Sequence, residues 1–148
     1  MDVKSSPVYF YVMMGFDSFN ITNTPIPFGQ EKLNVGGAMN LNTGKFTAPR
    51  DGTYSFSFTG LVHLPASSTN SNVNVWMYLN GNRIGAGWAD EVGTIGQYET
   101  FSFQSTFNLQ TGDEIWLQID GMSSGTYLFG YQYTHFSGYL LEEKLAVV

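Results

Sequence analysis

The chain has 148 residues, 43% of them hydrophobic and 16% aromatic, yet only 12% carry charge, well below the usual share of about a quarter. That balance excludes an acidic disordered chain, and the absence of Cys excludes a disulfide scaffold, a thiolate metal site and a thiol nucleophile. A net charge of −6 argues against nucleic acid as a partner, and no apolar run approaches the roughly 18 residues of a membrane-spanning helix.

In chain order, the N-terminus (Met1, Asp2, Val3, Lys4) shows no apolar leader core. Asn20-Ile21-Thr22 forms a sequon that would accept a glycan in a secreted protein. No window carries helical periodicity, whereas alternation of period two is widespread. Tyr54, Phe56 and Phe58 alternate with Ser55, Ser57 and Thr59, which predicts a half-buried strand. Residues 64–72, rich in Ser and Asn, read as a flexible surface loop. Val73, Val75, Met77 and Leu79 then form one face of a strand, with Asn72, Asn74, Trp76 and Tyr78 on the other. A second loop is predicted over 85–98 from Gly85, Gly87, Gly93 and Gly96. Phe101, Phe103, Phe107 and Leu109, and then Ile115, Leu117 and Ile119, are the buried faces of two further strands. Turns fall at Asn42-Thr43-Gly44, Asp51-Gly52, Asn80-Gly81-Asn82 and Thr111-Gly112-Asp113. The pattern is that of an all-β antiparallel sandwich or barrel, one domain over residues 1–148 with its core in 7–142.

More aromatics point outward than one core can use: Trp76, Tyr78, Trp116, Tyr127, Tyr131, Tyr133 and Tyr139. With so few charges to cover the surface, the excess is assigned to a subunit interface, for which Tyr9, Trp116, Tyr127 and Tyr139 are the candidates. Equipment for catalysis is sparse. The two histidines, His63 and His135, lack a Gly-x-Ser-x-Gly turn, and adjacent carboxylates such as Asp113-Glu114 point to opposite faces of a strand. No catalytic residue is assigned and no cofactor is required. Oxygen donors at Asp90, Glu91 and Asp120 keep calcium open as a bound ion, although no EF-hand spacing occurs. Trp88 beside Asp90 and Glu91 is the candidate ligand-binding segment, because an indole stacks on a sugar ring or a cationic group.

Several segments, in order, resemble one family. Asn34 to Asn40, Thr43 to Pro49 and Asp51 to Phe58 come first; Val75-Trp76-Met77-Tyr78-Leu79-Asn80-Gly81 and Leu109 to Leu117 follow; Phe136-Ser137-Gly138-Tyr139-Leu140-Leu141 closes the set. Together they resemble the globular head domain of complement component 1q. The resemblance implies a ten-stranded jelly roll like that of tumour necrosis factor, packed as a homotrimer, with the first and last strands adjacent. It also implies that Gly52, Tyr54, Phe136 and Leu141 are shared packing positions. Phe46 is read as a buried ring opening its strand, and Gly138 as a site of close approach. Ala48 stands where many members carry Cys, and this sequence contains neither the collagen-like repeat nor the coiled coil that usually accompanies the head in the family.

The expectation is a non-enzymatic, secreted or extracellular trimeric recognition module for innate-immune pattern recognition. Its ligand would be a glycan, a lipopolysaccharide or a protein surface. Two alternatives are a cytokine-like trimeric ligand for a cell-surface receptor and a monomeric carbohydrate-binding module.

Overall fold

Period-two alternation, turn residues at regular spacing and bulky β-formers give strands throughout. The computed structural model describes residues 6–93 and 95–145, and among them every helical or strand element is a strand. In chain order these are β1 (Tyr9–Met13), β2 (Gln30–Val35), β3 (Met39–Asn40), β4 (Lys45–Thr47), β5 (Gly52–Leu64) and β6 (Ser67–Leu79). They continue as β7 (Asn82–Gly93), β8 (Gln97–Leu109), β9 (Glu114–Met122), β10 (Tyr127–Leu128) and β11 (His135–Glu143).

Two antiparallel sheets form. In the first, β5 pairs with β8 on one side and with β10 and β11 on the other, followed by β1 and β2. The second runs β3-β4-β9-β6-β7. The first and last strands are neighbours, with Tyr9 opposite Tyr139. This is the expected jelly-roll sandwich; the strand beyond the ten expected is the two-residue β10.

The inward faces close on one core. Phe10, Phe46, Tyr54, Phe56 and Phe136 are buried, and Phe46 and Phe56 meet edge-on at 5.2 Å. The Tyr54 hydroxyl donates to the Arg50 carbonyl at 2.7 Å, so the ring is buried with its polar end satisfied. Gly138 lies beneath this cluster. A methyl group there would come within 2.6 Å of the Phe56 ring and 2.7 Å of Phe10. Gly52 is buried at the start of β5, whereas Leu141 lies outside the core with 58% of its surface exposed. Leu141 falls on the outward side of the alternation, with Ser137 and Tyr139, and is the extra residue where the β11–β5 register shifts.

Both predicted loops are in fact largely strand. Residues 67–72 open β6, and residues 85–93 belong to β7. The glycines of β7 serve packing: a methyl group on Gly87 would come within 2.7 Å of the Phe103 ring from the facing sheet. Glycine in a strand can mark close approach as readily as a turn, and the sequence pattern does not separate the two.

Candidate functional site

The outer face of the second sheet carries a polar and aromatic groove. Alternation places Asn74, Trp76 and Tyr78 of β6 outward while Val73, Val75 and Met77 are buried. Across the ladder, Trp88 stands opposite Asn74, Ala86 opposite Trp76, and Arg83 opposite Tyr78. Arg83 reaches that position because the β6–β7 register slips between Met77 and Tyr78, leaving Ile84 as an extra residue. On β9, Asp120 lies on the same outer face by alternation with the buried Ile115, Leu117 and Ile119. Asn74, Trp76, Arg83, Ala86, Trp88 and Asp120 line a groove of about 350 Å³, near the lower end of the range for small-ligand sites.

Its polar groups are locked together. Arg83 Nη2 lies 2.8 Å from Asp120 Oδ2, and its guanidinium carbon sits 4.5 Å from the centre of the Trp76 ring. Tyr78 donates its hydroxyl to the same carboxylate oxygen. Gln118 Nε2 donates to Asp120 Oδ1 at 2.9 Å, and Trp116 Nε1 donates in turn to Gln118 Oε1 at 3.2 Å. Burial, together with the neighbouring Asp120 carboxylate, raises the Tyr78 phenol above its ordinary value, so it stays a donor at neutral pH. Tyr78 stacks on Trp116 at 5.6 Å, and Lys45 Nζ covers Trp116 at 4.3 Å. Trp88 is the exception, with 53% of its surface exposed at the groove rim.

The outer face of the first sheet is different in kind. The His63 row reads Tyr98, His63, Tyr127, and His63 stacks on Tyr127 at 4.8 Å. Below it come Thr100 and Leu61, then Ser102, Thr59, His135 and Met13, then Gln104, Ser57, Ser137 and Tyr11, then Thr106, Ser55, Tyr139 and Tyr9. From the His63 row to the Ser55 row, the outward positions of β1, β5, β8 and β11 hold no Asp, Glu, Lys or Arg.

The sequence-predicted site residues are thus divided. Tyr9, Tyr127 and Tyr139 share the face of the first sheet, but Trp116 lies on the opposite sheet with the groove residues. Trp88 and Asp90 share an outer face, where Asn70 Nδ2 donates to Asp90 Oδ2 at 3.2 Å. Glu91, one residue on, points to the other side, where its carboxyl hydrogen-bonds Glu99 of β8. Burial, that hydrogen bond and the charges of Glu91 and Asp90 push the Glu99 carboxyl above its usual range. Among the described residues no three of His, Asp and Glu converge as a metal site, and Asp120 is held by Arg83, Tyr78 and Gln118 instead. The carboxylates raised for calcium therefore do not fit one ion. His135 is engaged on both ring nitrogens, accepting from Tyr11 Oη at 2.7 Å on Nδ1 and donating from Nε2 to the Gln132 carbonyl. Asp113 and Glu114 tie turns together: Asp113 Oδ2 accepts from Gln110 N at 2.8 Å, and Glu114 N donates to Asn80 Oδ1 at 2.8 Å. Asn20 is exposed.

Sequence reasoning missed Arg83 and Asn74 as site residues. Asn74 was legible as an outward partner of Trp76; Arg83 was not, since its position depends on a register slip that composition does not reveal.

Two facing antiparallel sheets with this strand order define a jelly-roll head of the tumour necrosis factor type. The C1q domain family model matches residues 10–141, and the chain belongs to that family. It is 32% identical over 126 residues to complement C1q tumor necrosis factor-related protein 3 of Mus musculus, covering 84% of this chain and 48% of that protein. The chain therefore spans about half the length of this relative. The globular domain of zebrafish complement 1qA superposes with a TM-score of 0.70 at 16% identity, covering 93% of this chain and 99% of that one. Eiger TNF from S. frugiperda gives 0.74 at 8% identity, covering 97% and 98%. Among the described residues no helix is long and apolar enough to cross a membrane.

Proposed function

We propose that the chain is a non-enzymatic recognition head that assembles as a homotrimer through the outer face of the first sheet. In this reading the whole chain acts as one unit and presents three second-sheet grooves to an extracellular ligand. One observation carries the reading: a chain of net charge −6 keeps a broad sheet face free of Asp, Glu, Lys and Arg, and studs it with Tyr. Interface cores are depleted of charge and enriched in aromatics, and three acidic copies meet at least electrostatic cost through an uncharged face. Trp116 is left out of this interface because it lies on the other sheet. Three identical sites on one rigid body raise effective concentration without new contacts, which suits recognition of a repetitive surface such as a microbe's. An exposed sequon at Asn20 is compatible with secretion.

Sedimentation at micromolar concentration tests the assembly. The expected species is three times 16.4 kDa, and Tyr139→Asp is expected to dissociate it while Trp116→Asp leaves it intact. A 16.4 kDa species for the unaltered chain would defeat the proposal.

A further inference from the structure

We infer that the groove beside Trp88 binds a neutral sugar ring, an assignment resting on the reading above that the chain is a recognition head. The groove presents a flat apolar surface next to paired polar groups, the two faces that a pyranose itself has. Trp88 supplies an exposed indole at the rim, on which the C–H face of a sugar stacks. Ala86, between Trp88 and the arginine end of the groove, is small enough to leave the space open. At the far wall stands Arg83, held by Asp120 yet with about half of its side chain exposed, so its remaining N–H groups can donate to sugar hydroxyls.

Three features favour a neutral ligand. Among the described residues that line the groove Arg83 is the one cation, and its charge is paired with Asp120 at 2.8 Å. The chain's net charge of −6 repels anionic sugars and polymers. The Asn74 side chain, which lines the groove, makes no hydrogen bond among the described residues, so its amide offers donors and an acceptor to uncharged hydroxyls. The site is also built in advance. Trp116 fixes Gln118, Gln118 and Tyr78 fix Asp120, and Asp120 with Trp76 fixes Arg83. Such a relay spares the ligand the cost of ordering its own site. A volume of about 350 Å³ accommodates one or two rings, not a long oligomer.

The chain has three tryptophans, so their indole N–H resonances form a compact reporter set. Lactose, chitobiose and mannobiose would be titrated by NMR, with 3′-sialyllactose as the anionic comparison and an extended neutral peptide as the protein-like one. At least one neutral disaccharide is expected to shift Trp88 and Trp76 saturably with a Kd of about 1 mM, and Trp116 less. Trp88→Ala, at an exposed position, is expected to weaken binding about tenfold with unchanged melting. Asn74→Ala is expected to weaken it by about threefold or more. The inference is overturned if no neutral disaccharide moves Trp88, if Trp88→Ala binds as well as the parent, or if sialyllactose or the peptide binds more tightly. Sedimentation of the same samples separates the two claims. A trimer without sugar binding removes the ligand assignment alone, and a sugar-binding monomer removes the assembly alone.

Discussion

Phe56 contacts Phe10, Phe46, Tyr54, Phe107 and Phe136 through ring centroids between 5.2 and 6.3 Å. Its removal leaves a cavity that rigid strands cannot close, so Phe56→Ala is expected to cost about 3–5 kcal/mol. Urea denaturation measures this, and a loss below about 1 kcal/mol would mean the cluster repacks. Glu99 makes a prediction of opposite sign. Burial and the Glu91 contact raise its folded pKa, so the folded state holds more protons than the unfolded chain between the two values. Stability therefore falls as pH rises through that window, and the full penalty is present only above the raised folded value. Glu99→Gln is expected to melt higher than the parent at pH 7, with the difference vanishing near about pH 4. Equal melting at pH 7 would count against the shared-carboxyl geometry. Asp51 behaves conversely: hydrogen bonds from the Thr111 backbone N–H and hydroxyl lower its pKa. Its stabilisation is present above the unfolded value and is lost as pH falls through the lowered one.

Between elements, Asn80 is the tie joining the β6–β7 turn to the start of β9. It adopts a φ of 51°, donates to Asp113 Oδ1 at 2.9 Å, and accepts from Glu114 N at 2.8 Å. Asn80→Ala loses both bonds and strains the backbone, with an expected cost of about 1–2 kcal/mol read from the denaturation midpoint. Asn80→Gly, which keeps the backbone but not the bonds, should recover part of it. That turn was legible in the sequence because Asn-Gly between alternating runs has one reading. So were the faces of β5, β8 and β9, where Phe56, Phe103 and Leu117 each alternate with polar residues. The start of β6 and most of β7 were not. Their Ser, Asn and Gly residues carry turn chemistry, and what makes them strands is a partner ladder and the Phe103 ring beneath Gly87. The groove was legible in part: Trp88 stood out as an indole beside acids and Asp120 follows the alternation of β9, but a register slip supplies Arg83. Slips of one residue leave composition unchanged while reversing which face a side chain takes.

Taken as a molecule, the domain presents two sheets with divergent outer surfaces, one uncharged with tyrosines and one polar with a groove. If the first closes a trimer, unfolding is linked to dissociation, so dilution should lower the melting temperature of the parent chain. Tyr139→Asp, already monomeric, should melt independently of concentration, and a parent equally insensitive to dilution would argue against linked assembly. The pairing of β1 with β11 has a further consequence. Leu140 N donates to the Val8 carbonyl, and Lys144 N to that of Asp51, so strand entry and strand exit meet at one pole of the sandwich, alongside the Asn80–Gly81 turn. A short Gly-rich tether of roughly six residues should bridge Ser6 and Lys144, which both bond to the Arg50–Asp51 segment. Opening the chain between Asn80 and Gly81 would then yield a circular permutant with an unchanged strand layout, whose new ends also leave from that pole and clear of Trp88.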